Sequence, residues 1–154
     1  MGSGKSSVAR AYAKRNKVYF LDTDTMIESA ENRSIEEIFE NKGEAYFRNL
    51  ERELVLWLNS NVSNAIISTG GGMIIHCDEI NKLGRSVYLK VPFSSIMSRM
   101  SPVELAKRPL FKDEKKARLM YEERNSIYEK KSDLIIDADC KIEEAVARLS
   151  SAIS

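Results

Sequence analysis

Between Glu44 and Asn59 apolar side chains recur at Phe47, Leu50, Leu54, Trp57 and Leu58. That is the spacing of one helical face, and the whole stripe, Trp57 included, is expected in the core. Ahead of it, Ser34 and Glu37 form a capping-box pattern before Ile38 and Phe39. Short continuous apolar runs alternate with such helical stretches. Val18–Leu21, Ala65–Thr69, Ser86–Val91 and Leu134–Asp137 each read as a buried strand. Further helices are predicted from Ser6 to about Lys14, Asp113 to Tyr128 and Lys141 to Ile153, and Pro92 suits the first position of another. The alternation predicts an α/β fold, a mainly parallel sheet with helices on both faces. The least regular stretch, Ser101–Lys112, carries two of the three prolines and is expected to be a mobile lid.

Composition narrows the picture only slightly. A chain of 154 residues fits one domain spanning 1–154. The 24 basic and 23 acidic residues nearly cancel, which argues against a bulk electrostatic partner such as nucleic acid or a membrane surface. No apolar run approaches the ~20 residues of a membrane span, and the N-terminus lacks the apolar region of a signal peptide. Cys77 and Cys140 stand far apart without metal-ligand spacing, as expected of reduced thiols.

The chemistry is concentrated at the start. Gly4-Lys5-Ser6 match the end of a phosphate-binding loop, G-x-x-x-x-G-K-[ST], whose first glycine would fall before Met1. In such loops backbone N–H groups wrap phosphate oxygens, the lysine reaches the outer phosphates and the hydroxyl holds magnesium. Gly2, Ser3, Gly4, Lys5, Ser6 and Ser7 are the candidate nucleotide site. "LDTD" places Asp22 and Asp24 two apart at a strand end, pointing the same way if extended. One suits hydrated magnesium and the other a substrate hydroxyl; a helix N-cap is the alternative use. Arg48 has Glu51 one helical turn on, either a surface ion pair or a ligand grip. Arg124 shares a face with Ala117, Tyr121 and Tyr128, where a guanidinium needs an anionic partner. Arg108 lies in the predicted lid, where it could close over a transferring phosphate. These arginines suggest an anionic substrate with a carboxylate arm.

The ordered set "MGSGKS", "FLDTD", "GEAYFRNLE", "STGGG", "VYLKV", "KRPLF", "ERNSIYE" and "DLIID" resembles shikimate kinase, a small relative of the nucleoside monophosphate kinases. The resemblance covers nearly the whole chain. It implies a three-layer P-loop kinase fold whose usual first strand is missing before Met1. It implies transfer of the ATP γ-phosphoryl group to the 3-hydroxyl of shikimate, by a cytoplasmic monomer using Mg2+. Lys5 and the loop amides would hold ATP phosphates, Ser6 and Asp22 the magnesium. Asp24 would bind the attacking hydroxyl, and Arg48 and Arg124 the shikimate carboxylate, with Glu51 orienting Arg48. Helices over about 23–59 would carry the acceptor. Gly70, Gly71 and Gly72 would bring backbone to the substrate ring, and Arg108 would act from the lid over about 101–112. Arg99 falls near the family's adenine-contacting arginine, although Met100 follows where threonine is usual. Gluconate and nucleotide kinases of the same fold, and a non-catalytic nucleotide-binding protein, are the alternatives. "NKLG" lacks the aspartate that reads guanine in a GTPase.

Overall fold

In the computed structural model, which describes residues 2–101 and 113–153, helix and strand alternate as the apolar pattern requires. Two compact units emerge: Ser6–Arg85, and the remaining described residues.

In the first unit, α1 (Lys5–Asn16) buries Val8, Ala9 and Ala13 on one face. Lys17, with a left-handed φ of 56°, ends the helix. The chain turns into β1 (Tyr19–Asp22), which pairs in parallel with β2 (Ala65–Ser68), from Tyr19 opposite Ala65 to Asp22 opposite Ser68. There is no loop after β1, because Asp22 itself caps α2 (Thr23–Glu31). α3 (Ile35–Asn61) opens on the expected capping box: Ser34 Oγ accepts from Glu37 N at 3.2 Å, and Glu37 accepts from Ser34 N at 2.8 Å. Gly43, at φ 83° and ψ 171°, kinks α3, so its two halves follow different phases. Ile27, Ile38 and Phe47 form one core cluster; Val55, Met73 and Cys77 join Ile80 in another. Met73 and Cys77 come from α4 (Met73–His76) and its end, and Ile80 from a 3-10 turn, Asp78–Lys82.

In the second unit, β3 (Val87–Lys90) and β4 (Leu134–Asp137) are also parallel, with Val87 opposite Leu134 and Lys90 opposite Asp137. α5 (Phe93–Arg99) begins after Pro92, which occupies the N-cap rather than the first helical position. α6 (Glu114–Lys131) is capped by Asp113, and α7 (Ile142–Ile153) buries Ala145, Val146 and Leu149. Tyr121 Oη donates to Val91 O and Tyr88 Oη to Asn125 Oδ1, each at 2.8 Å, pinning α6 to the β3 segment. Among the described residues no helix is long and apolar enough to cross a membrane.

Two expectations need correction. The strands are mostly half-buried rather than buried, and Tyr19 is 83% exposed. Among the described residues each strand hydrogen-bonds to one neighbour only, which leaves its other edge unpaired. Trp57 is 52% exposed. The buried stripe of α3 runs Phe47, Glu51, Val55 and Leu58, so a carboxylate holds the middle of the face and Trp57 lies beside it.

Candidate active site

Gly2 and Gly4 adopt left-handed φ values of 64° and 75°. A Cβ on Gly4 would meet nothing within 4 Å, so backbone conformation, not space, demands glycine there. The loop of Gly2, Ser3 and Gly4 runs directly into α1, whose first turn, with Lys5, Ser6 and Ser7, holds no acidic residue. Unpaired N–H groups, the helix dipole and the Lys5 ammonium all favour an anion at this end.

The Ser6 hydroxyl donates to Asp22 Oδ2 at 3.0 Å and lies 3.0 Å from Ser68 Oγ. The other Asp22 oxygen, Oδ1, accepts from Thr25 N at 3.2 Å. Asp22 therefore caps a helix with one oxygen and faces Ser6 with the other. These are hard oxygen donors, the type that holds Mg2+ together with water.

Asp24 does not point with Asp22 along an extended strand. Because Asp22 caps, the helix starts at Thr23, and Asp24 sits in its first turn. There it reaches the glycine turn after β2. A Cβ on Gly70 would lie 2.6 Å from Asp24 Oδ1 and 3.3 Å from Glu51 Oε1. One on Gly72 would lie 2.6 Å from Arg48 Nη1. A side chain at either position would displace the Asp24 carboxylate or the Arg48 guanidinium from its place. Gly71 stands between them.

Arg48 and Glu51 form more than a surface pair. Arg48 Nη1 bonds Glu51 Oε2 at 2.7 Å and Nη2 bonds Glu44 Oε1 at 2.9 Å. The Glu51 side chain is 1% exposed and that of Arg48 21%. Burial pushes the Glu51 carboxyl above its usual range, against the pull of Arg48, while Asp24 and Glu44 push it the same way as burial. Glu51 Oε1 is buried without a hydrogen-bond partner among the described residues. Asp24, Glu51, Arg48 and the glycine turn thus make one polar surface within the first unit.

The second unit holds Arg124 and Arg99. Arg124 is half-buried on α6, within hydrogen-bonding reach of the Tyr128 phenol. Burial raises the Tyr128 pKa, and Arg124 opposes the rise. Arg99 bonds Asp139 Oδ1 at 2.6 Å, and Ser95 donates to Asp139 Oδ2. Arg108 and all but Ser101 of the predicted lid lie outside the described residues.

A family profile described as shikimate kinase matches residues 1–154. The chain belongs to the shikimate kinase family. It is 46% identical over 149 residues to a shikimate kinase from Helicobacter hepaticus, covering 97% of this chain and 89% of the relative. It is 43% identical over 144 residues to one from Clostridium botulinum, covering 90% and 84%. Among solved structures, a shikimate kinase from Aquifex aeolicus matches with a TM-score of 0.82 and 34% identity, over 99% of this chain and 91% of that one. The shikimate kinase from Acinetobacter baumannii, solved in complex with shikimate, matches with a TM-score of 0.87 and 28% identity, over 99% and 88%. The P-loop kinase fold is that of these shikimate kinases. Sequence reasoning overlooked Thr23, Ser68 and Glu44. Ser68 had a signal, since it ends a strand directly before three glycines; Glu44 had none beyond its spacing of four from Arg48.

Proposed function

We propose that the protein transfers the γ-phosphoryl group of ATP to the 3-hydroxyl of shikimate, giving shikimate 3-phosphate and ADP. The observation that carries the reading is the cluster of Arg48, Glu51 and Asp24 against the backbone of Gly70 and Gly72. A guanidinium for a carboxylate and a carboxylate for a hydroxyl are the two grips that a small hydroxy acid needs.

The loop amides of Gly2, Ser3 and Gly4, with Lys5 and the first turn through Ser7, bind the phosphates of ATP and offset their charge. Ser6 and Asp22 are the residues that would hold Mg2+, which, when bound, would supply positive charge to offset that of the transferred group. Asp24 accepts the proton of the substrate hydroxyl as that oxygen attacks. Arg48, oriented by Glu51, and Arg124 bind the shikimate carboxylate, and glycine at 70–72 lets the ring approach the backbone. Arg108 stabilises the phosphoryl group from the lid, and Arg99 lies at the adenine. The protein works as a single domain and a monomer in the cytoplasm, on two small molecules.

ADP release is measured with shikimate, gluconate and nucleoside monophosphates offered in turn. Mg2+-dependent turnover with shikimate alone is expected. Turnover with another acceptor, or ATP-analogue binding without any turnover, overturns the reading.

A further inference from the structure

Thr23 is 0% exposed although it is polar and lies between two charged residues. Its Oγ1 accepts a hydrogen bond from Gly70 N at 3.1 Å. The carbonyl of Gly70 accepts from Met73 N at 3.1 Å. Both backbone groups of the first glycine are therefore committed, one to α4 and one to a single buried side chain. The flanking residues are fixed too, since Asp22 caps α2 and bonds Ser6, and Asp24 reaches under the Gly70 α-carbon. We propose that Thr23 is a positioning residue of the acceptor site, its hydroxyl holding the Gly70 turn against the Asp24 carboxylate so that a substrate hydroxyl meets Asp24 in one fixed arrangement. This rests on the function proposed above.

Two physical facts give Thr23 this role. A β-branched side chain is stiff about its first torsion, so its Oγ1 has little freedom to follow a shifting turn. A buried N–H without an acceptor is costly, so loss of Oγ1 moves the turn toward water or another partner. A Cβ built on Gly70 would lie 2.6 Å from Asp24 Oδ1, so the turn and the carboxylate are close neighbours and an inward shift of one crowds the other.

The test compares Thr23→Val, which keeps shape but has no acceptor, with Thr23→Ser, which keeps the hydroxyl. In the full chain Thr23→Val is expected to raise the KM for shikimate about tenfold and lower kcat roughly 10- to 100-fold, as a misplacement near 1 Å does. The KM for ATP stays within about twofold, because α1 and its loop do not depend on this bond. Thr23→Ser recovers most of both losses. Hydrogen exchange at the Gly70 amide quickens in the valine variant and not in the serine variant. A valine variant that melts earlier but keeps wild-type kinetics overturns the proposal, as does a serine variant no better than valine. Should valine prevent folding, Thr23→Ala is read the same way, and failure of both to fold also overturns it. If the wild type ignores shikimate, the substrate assignment fails, while Gly70 exchange still decides whether Thr23 holds the turn.

Discussion

Two arginines are expected to face the same kind of anion, yet the molecule treats them differently. Arg48 is held by two carboxylates, one of them fully buried, beneath a glycine turn. Arg124 stands on α6 beside the Tyr128 phenol, and no carboxylate among the described residues forms an ion pair with it. Arg48 is thus part of the folding of its unit as well as a proposed ligand contact. Arg124 is proposed to spend its charge on the substrate carboxylate. A buried pair is costly to break because the remaining partner stays buried and charged. Among the described residues Arg124 has a neutral phenol for a partner, and its removal there leaves no buried counter-charge behind.

The largest effect separates both arginines from the chemistry. Asp24→Asn is expected to lower kcat about 10²- to 10⁴-fold, the range for loss of a proton acceptor. The KM for shikimate should change little, since asparagine still hydrogen-bonds. An unchanged kcat in steady-state ADP release would remove Asp24 from the reaction. Next comes Arg48→Ala, which leaves Glu51 buried with no counter-charge. It should cost on the order of 3 kcal/mol in stability, read by urea denaturation, and also raise the KM for shikimate. Arg124→Ala should raise that KM about 10- to 100-fold, the value of a charge-assisted hydrogen bond pair, with urea midpoint and kcat nearly unchanged. Arg124→Lys should recover only part, because an ammonium lacks the fork. Equal destabilisation by the two alanine variants would erase the distinction.

What could be read from the sequence follows the same division. The capping box of α3 and the glycine-lysine-serine start were legible because each depends on local chemistry, and parallel pairing because strands alternate with helices along the chain. The candidate residues in "DTD" stood out in the sequence, but their geometry did not. A two-residue period applied across Asp22 and Asp24 fails where the first aspartate caps a helix. The stripe on α3 held at Phe47 and Leu58, with Leu50 and Leu54 packed at the edge of the core, and failed at Trp57. Counting only apolar residues passed over Glu51, which occupies the centre of the face, and admitted Trp57, which does not. A buried carboxylate gives no hydrophobic signal; only its spacing from Arg48 does. Half-burial of the strands was likewise hidden, because an apolar run reports what a strand can bury, not how many neighbours pair with it.

The last expectation is smaller than these and depends on pH. Burial holds the Glu51 pKa above its ordinary value, with Arg48 pulling it down and Asp24 and Glu44 pushing it up. The folded protein therefore keeps the Glu51 proton to higher pH than the unfolded chain does. The stability this contributes is fully present below the ordinary carboxylate value and is lost as pH rises through the raised one. Glu51→Gln stays neutral throughout and keeps a hydrogen-bond acceptor for Arg48. The melting temperature of the wild type, measured against that of Glu51→Gln, should accordingly fall as pH climbs from the ordinary carboxylate value into the raised range. Arg124 has no such carboxylate among the described residues, so Arg124→Ala should track the wild type across the same range. A wild-type advantage over Glu51→Gln that grows with pH would mean that attraction to Arg48 outweighs burial. Arg48 would then stabilise the fold by its charge on Glu51, and the contrast with Arg124 would be larger than burial alone allows.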